Sequence, residues 1–120
     1  MKVRIKKNVC DCDIVKLADF YADVFRCRTK IQKEDGCIGY VCSFSGDFCI
    51  EFIESNFSTS PLTLNFTIYN LIGVEEKLLK WGVPFKKDNK KRCIITHDPC
   101  GNEIYIEQET LFFSLPRIGR

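Results

Sequence analysis

The stretch Cys93–Gln108, CIITHDPCGNEIYIEQ, decides how the rest of the chain is read. Asp98-Pro99-Cys100-Gly101 places Asp at the first position of a turn, Pro preset at the second, and Gly where a positive φ is needed, so the backbone reverses there. The flanks, Cys93-Ile94-Ile95-Thr96 and Glu103-Ile104-Tyr105-Ile106-Glu107, are rich in β-branched residues, and the second alternates apolar with polar. A tight hairpin is expected, with Glu103, Tyr105 and Glu107 on its wettable face.

Upstream of that hairpin, Leu62, Leu64, Phe66 and Ile68 alternate with Thr63, Asn65 and Thr67, a strand pattern without exception. Asn70 is an N-cap, Leu71, Val74, Leu78 and Trp81 form a helical stripe, and Gly82 stands where a left-handed residue ends the helix. Val83–Phe85 reads as a short strand, and Lys86-Lys87-Asp88-Asn89-Lys90-Lys91-Arg92 as a solvated basic loop. The first half has the same order. Val3–Val9 is a strand with Arg4, Lys6 and Asn8 on one face; Val3, Ile5 and Val9 lie on the other, which Lys7 interrupts. Asp13 caps a helix with Ile14, Leu17, Ala18, Tyr21, Val24 and Phe25 at helical spacing. A short strand at Arg26–Ile31, a turn at Lys33-Glu34-Asp35-Gly36, and two strands, Ile38–Phe44 and Phe48–Glu54, split by Ser45-Gly46-Asp47, complete the unit. Glu51 is a carboxylate within an otherwise apolar strand.

The halves superpose in register: Asp13 aligns with Asn70, Leu17 with Val74 and Val24 with Trp81, while Ile50 and Glu51 align with Ile104 and Tyr105 at a slightly different offset. The expected fold class is α+β, two tandem βαβββ modules forming a curled mixed sheet. Residues 1–120 make one domain: module one 1–55, linker 56–61, module two 62–109 and an apolar tail 110–120. Each half alone leaves a sheet face open, so pairing of the halves is expected to create a shared concave surface.

A 120-residue chain can bury roughly two-thirds of its unfolded surface without a staple. A net charge of +2 argues for no nucleic-acid partner. The charged Met1–Lys7 segment lacks the apolar core of a signal peptide, and no stretch approaches the roughly 18 apolar residues of a membrane span, so no membrane partner and a cytoplasmic location are expected. The eight cysteines are then read as reduced thiols, with Cys27, Cys42, Cys49 and Cys93 acting as small buried hydrophobes; no CxxC pair offers a tetrahedral metal site.

Asp98-Pro99-Cys100-Gly101-Asn102-Glu103-Ile104-Tyr105-Ile106 is similar to the DPDGN-x-I-E-L hairpin of the vicinal oxygen chelate superfamily, which includes glyoxalase I, bleomycin-resistance proteins, fosfomycin-resistance enzymes and extradiol dioxygenases. Asp13 with Phe20-Tyr21, Cys49-Ile50-Glu51-Phe52-Ile53-Glu54, and Leu78-Leu79-Lys80-Trp81-Gly82-Val83-Pro84-Phe85 resemble further family segments, and the resemblance spans residues 1 to about 109. It implies a cup between the modules with ligands held inside, and in metal-using members four metal ligands. Those positions fall on Lys6, Glu51, Thr63 and Tyr105, of which only Glu51 is a ready ligand, since Lys is a cation and Tyr a weak acid with a pKa near 10.

The resemblance and this departure give two functional expectations. In the first the protein uses no cofactor and binds a small organic molecule in a cup lined by Lys6, Asn8, Glu51, Thr63, Asn65, Tyr105 and Glu107. In the second it is a metal-dependent lyase, isomerase or dioxygenase holding one divalent ion through Glu51 with Asn8, His97 or Glu107. Lys6 and Glu51 are expected to form an ion pair, either as neutralisation of buried charge or as an anchor for a polar ligand. His97, the single imidazole, is read as structural or surface. The apolar tail Leu111-Phe112-Phe113-Ser114-Leu115-Pro116 packs on its own domain or covers a partner, and the resemblance implies a homodimer as the expected assembly.

Overall fold

A computed structural model describes residues 1–34, 36–57 and 60–109. Module one contains β1 (Val3–Val9), α1 (Ile14–Phe25), β2 (Arg28–Glu34), β3 (Cys37–Ser43) and β4 (Phe48–Glu54). Module two repeats the order with β5 (Thr63–Ile68), α2 (Leu71–Trp81), β6 (Phe85–Asp88), β7 (Cys93–His97) and β8 (Glu103–Gln108). The strands form two four-stranded sheets, ordered β1-β4-β3-β2 and β5-β8-β7-β6. In each, the first strand runs parallel to the last and the remaining pairs are antiparallel. The expected duplication is therefore present, as two separately hydrogen-bonded sheets. The middle of the 33–36 turn, part of the 56–61 linker and the whole of the 110–120 tail lie outside the described residues.

Strand β2 runs on to Glu34, so Lys33 and Glu34 of the expected turn pair with Ile38 and Cys37, and two further boundaries shift through helix C-capping. Arg26 takes a left-handed conformation (φ 55°) and sends its backbone N–H to Tyr21 O, so the strand expected from Arg26 starts at Arg28. At the end of α2, Gly82 (φ 69°) is followed by Val83, whose N–H reaches Leu78 O at 3.1 Å, so Val83 still belongs to the helix terminus. The strand expected at Val83–Phe85 moves on to Phe85–Asp88, and Lys86, Lys87 and Asp88 of the basic run expected as a loop join the edge strand β6, with Phe85 opposite Thr96 and Lys87 opposite Ile94. Edge strands carry lysines readily, because their outer rim is open to water.

The two N-caps act as read. Asp13 Oδ1 accepts from Val15 N and Lys16 N, both at 3.0 Å, and Asn70 Oδ1 accepts from Gly73 N at 3.0 Å. Helix α1 buries Ile14, Leu17, Ala18, Phe20, Tyr21 and Val24, more of its circumference than one sheet can cover. Both modules share it. Tyr21 stacks on Phe52 of β4 (ring centroids 5.5 Å), whereas Phe20 meets Trp81 of α2 edge-on (5.4 Å) and Phe25 stacks on Phe66 of β5 (4.4 Å). Asp23 on α1 adds polar fastening, accepting from Lys77 Nζ and Trp81 Nε1, each at 2.8 Å. One continuous apolar core thus runs through both modules on the helix side of the sheets.

Candidate functional site

The faces turned away from the helices carry the residues that sequence reading singled out. Strand register arranges module one in cross-strand rows: Arg4, Cys49, Ser43 and Arg28; then Lys6, Glu51, Val41 and Lys30; then Asn8, Ile53, Gly39 and Gln32. Among the described side chains of these three rows, four cations stand against one carboxylate. Glu51 is only 5% exposed even though it points away from the core, because it sits on an interior strand. Gly39 lies beside it: a Cβ there would be in ordinary contact with Glu51 Oε2 at 3.6 Å but would crowd the Phe52 carbonyl oxygen at 3.1 Å. The expected ion pair with Lys6 does not form. Although Lys6 lies opposite Glu51 in the register, it is Arg4 Nη1 that stands 3.9 Å from Glu51 Oε1, the longer guanidinium reaching across from the neighbouring row.

Module two presents Thr63, Glu103 and His97; then Asn65, Tyr105, Ile95 and Lys86; then Thr67, Glu107, Cys93 and Asp88. Three carboxylates against one lysine make this face acidic where module one is basic. Tyr105 is half-buried, and the neighbouring Cys93 thiol, by hydrogen bonding and by charge, raises its phenol pKa. Since Tyr105 lies opposite Asn65 as Glu51 lies opposite Lys6, the counterpart of Lys6 in module two is Asn65; Thr63 belongs to the next row, opposite Glu103. The structure assembles the seven candidate residues as two groups, Lys6, Asn8 and Glu51 on one sheet and Thr63, Asn65, Tyr105 and Glu107 on the other. The contacts that join the modules lie on the opposite side of both sheets.

The principal polar junction between modules joins segments far apart in sequence, which no local pattern marks. Asp98 of the β7–β8 turn is 5% exposed and its carboxylate accepts four hydrogen bonds: Tyr21 Oη (2.6 Å), Asn102 Nδ2 (2.8 Å), Cys100 N (2.9 Å) and Asn102 N (3.0 Å). Asn102 Oδ1 in turn accepts from Leu62 N at 2.9 Å, tying the turn to the start of β5. Gly101 supplies the expected positive φ of 89°. Lys7, read as a break in an apolar face, is 4% exposed and donates to Asn8 O at 3.1 Å; burial lowers its pKa and the charge of Asp98 acts against that shift. Next to this cluster Cys12 and Cys100 form a disulfide with Cα atoms 5.7 Å apart, which corrects the reading of all eight cysteines as reduced thiols. Cys27, Cys42 and Cys93 are buried as expected, while Cys49 is half-buried.

Tyr21 gives this junction an alkaline signature. Burial, then the charge and hydrogen bond of Asp98, hold its pKa well above 10. An unfolded phenol loses its proton near pH 10, so above that pH the folded chain binds more protons than the unfolded one and stability must fall as pH rises. Its contribution is complete below pH 10 and shrinks above it, by at most about 1.4 kcal/mol per pH unit. Urea midpoints at pH 9 and pH 11 are expected to differ by less in Tyr21→Phe than in the parent chain; an equal drop in both would remove Tyr21 as the source.

The donor set does not fit a metal centre. Among the described residues no three His, Cys, Asp or Glu side chains stand together so as to hold an ion, so Glu51, His97 and Glu107 are not assembled into one site. His97 is exposed at the end of β7, opposite Glu103, and Asn8 lies opposite Ile53.

No protein-family model matches the chain, and no curated protein matches it in sequence. Solved structures do match in shape. Fosfomycin resistance protein FosX from Mesorhizobium loti superposes with a TM-score of 0.73 at 15% identity, over 98% of each chain. Glyoxalase I of Leishmania major gives 0.73 at 11% identity, over 98% of this chain and 94% of that one. The chain has the vicinal oxygen chelate fold. The YycE protein of Bacillus subtilis shares this fold too, with a TM-score of 0.72 at 17% identity over 88% of each chain. At such identities the likeness concerns the vicinal oxygen chelate fold alone, and the side chains on the open faces must carry any functional statement.

Two features lack a local sequence signal. Period two assigns Arg4 to the face of Glu51, but its reach to that carboxylate follows only from the assembled sheet. Cys12 and Cys100 are separated by 88 residues, and only the docking of α1 against the second hairpin brings them together.

Proposed function

We propose that the protein binds a small organic molecule on the open faces of its two sheets, without a metal ion. The observation that carries this reading is the state of Glu51: the single carboxylate among the four positions compared with the family's metal sites is buried and faces the Arg4 guanidinium, while Lys6, Thr63 and Tyr105 offer a cation, a neutral hydroxyl and a phenol whose proton is held more tightly than usual. Such groups serve as hydrogen-bonding and ion-pairing partners for a ligand. The opposite charge of the two faces supports a cup closed by apposing a module-one face with a module-two face, and a homodimer is the assembly that we favour, because the helix sides already join the modules within one chain.

One set of measurements on the full chain tests this. Elemental analysis of the purified protein is expected to show no stoichiometric zinc, iron, manganese or nickel. Thermal scans with a panel of small organic molecules are expected to find a ligand that raises the midpoint of the parent chain but not of Tyr105→Phe or Lys6→Ala, and light scattering is expected to report a dimer. A stoichiometric divalent metal that disappears in Glu51→Gln would replace this reading with metal-dependent chemistry on the same fold.

A further inference from the structure

At the end of sheet one where Ser43 begins the turn into β4, Arg26, Arg28, Ser43, Phe44, Ser45 and Gly46 line a groove of about 520 Å³. Local sequence explains why two arginines arrive there together. Between them Cys27 is 8% exposed and packs into the core, so its two neighbours are directed outward and both are exposed. Arg26 is fixed by the left-handed C-cap of α1, a conformation that an L-residue adopts at some cost. Arg28 is fixed by the ladder, opposite Ser43, so guanidinium and hydroxyl share a face.

The turn on the other side of the groove supplies more donors. Phe44 N and Ser45 N both go to Phe48 O, at 3.1 and 3.4 Å, and Ser45 Oγ accepts from Asp47 N at 3.3 Å, which leaves the hydroxyl proton of Ser45 to donate elsewhere. None of the six lining residues is acidic. Neither guanidinium takes part in an ion pair or side-chain hydrogen bond with a described residue, in contrast to Arg4, Lys77 and Lys87, which each face a carboxylate. Arg26 also borders a neighbouring groove that carries Asp23 and Glu76, whereas Arg28 does not line that acidic groove.

We infer that this groove is an oxyanion site for a phosphate group, free or carried as a monoester. Two planar guanidiniums present paired N–H donors that match adjacent phosphate oxygens, and the Ser43 and Ser45 hydroxyls complete a donor set without an acceptor charge to oppose it. Half-buried Phe44 forms an apolar wall against which the carbon body of an ester can lie. The site is independent of the ligand proposed for the open faces, with which it shares only the face of Arg28 and Ser43.

Titration of the full chain with inorganic phosphate and, separately, with phenyl phosphate tests the assignment, read by calorimetry and by amide shifts at Ser45 and Gly46. Saturable binding is expected with both, and tighter binding of the ester, whose ring lies against Phe44. Arg28→Ala is expected to weaken it about tenfold, as loss of one charge-assisted hydrogen bond does, and Arg26→Ala by a similar or smaller factor. Arg28→Lys, which keeps the charge and loses the fork, should fall between. Lys30→Ala removes the next cation on the same strand face outside the groove and should leave binding within about twofold. Absence of saturable binding to the parent chain, or equal weakening by Lys30→Ala and Arg28→Ala, would overturn the site in favour of diffuse charge. Neither outcome bears on the small-molecule reading, whose variants lie at Lys6 and Tyr105.

Discussion

Asp98→Ala is expected to lower the unfolding free energy by about 3–5 kcal/mol, the range found when one member of a buried, hydrogen-bonded charged cluster is removed. Four donors converge on this carboxylate, and two of them, Tyr21 Oη and Asn102 Nδ2, belong to side chains that are at most 1% exposed. Truncation leaves both without a partner in a place water does not reach, and each such group costs about 1–3 kcal/mol. It also strips buried Lys7 of the charge that favours its ammonium form. Because Tyr21 lies on α1 and Asp98 on the second hairpin, the loss falls on the joint between modules. Chemical denaturation followed by circular dichroism reads the change, with Tyr21→Phe expected to cost less because the carboxylate keeps three donors. A loss below 1 kcal/mol for Asp98→Ala would mean that the cluster is hydrated and of little consequence.

Reduction of the Cys12–Cys100 bridge is expected to cost a comparable amount. The cross-link spans 88 residues, and the loss of chain entropy in the unfolded state for a loop of that length is worth about 4.6 kcal/mol at 25 °C. Both ends lie beside groups already fixed: Cys12 precedes the N-cap Asp13, and Cys100 N donates to Asp98. The denaturation midpoint of the parent chain should therefore drop on adding a thiol reductant, whereas that of Cys12→Ser should be low and indifferent to reductant. Thiol titration of the unfolded, unreduced chain should find the six cysteines that stay free. Eight titratable thiols would remove the bridge. The bridge and the Asp98 cluster share one turn, so the combined loss in a double variant should differ from the sum of the single losses.

Much of the fold was legible because it depends on local periodicity and on caps. The alternation through Leu62–Ile68, the Asp13 and Asn70 caps and the Asp98–Gly101 turn each specify backbone geometry within a few residues, and each appears where it was read. Structure departs from the local pattern where a longer hydrogen bond overrides it. Val83 looks like a strand residue by side chain, yet its N–H is spent on Leu78 O, and the lysines after Phe85 look like loop yet complete the β6–β7 ladder. The open-face residues were also legible as a list, since period two alone assigns Lys6, Asn8, Asn65 and Tyr105 to faces. Which of them pair was not, because register between strands distant in sequence and the reach of side chains such as Arg4 follow from the assembled sheet.

By itself, then, the sequence determined two βαβββ units, their capped helices and the polarity of each sheet face, all of which follow from interactions among neighbours along the chain. Tertiary structure alone decided that α1 serves both modules, that Tyr21 and Lys7 gather around Asp98, that Cys12 meets Cys100, and that Arg26 and Arg28 share a groove with Ser43 and Ser45. These are contacts between segments far apart in sequence, selected by which arrangement buries the shared aromatic core while giving its buried polar groups partners, and no local pattern encodes that choice.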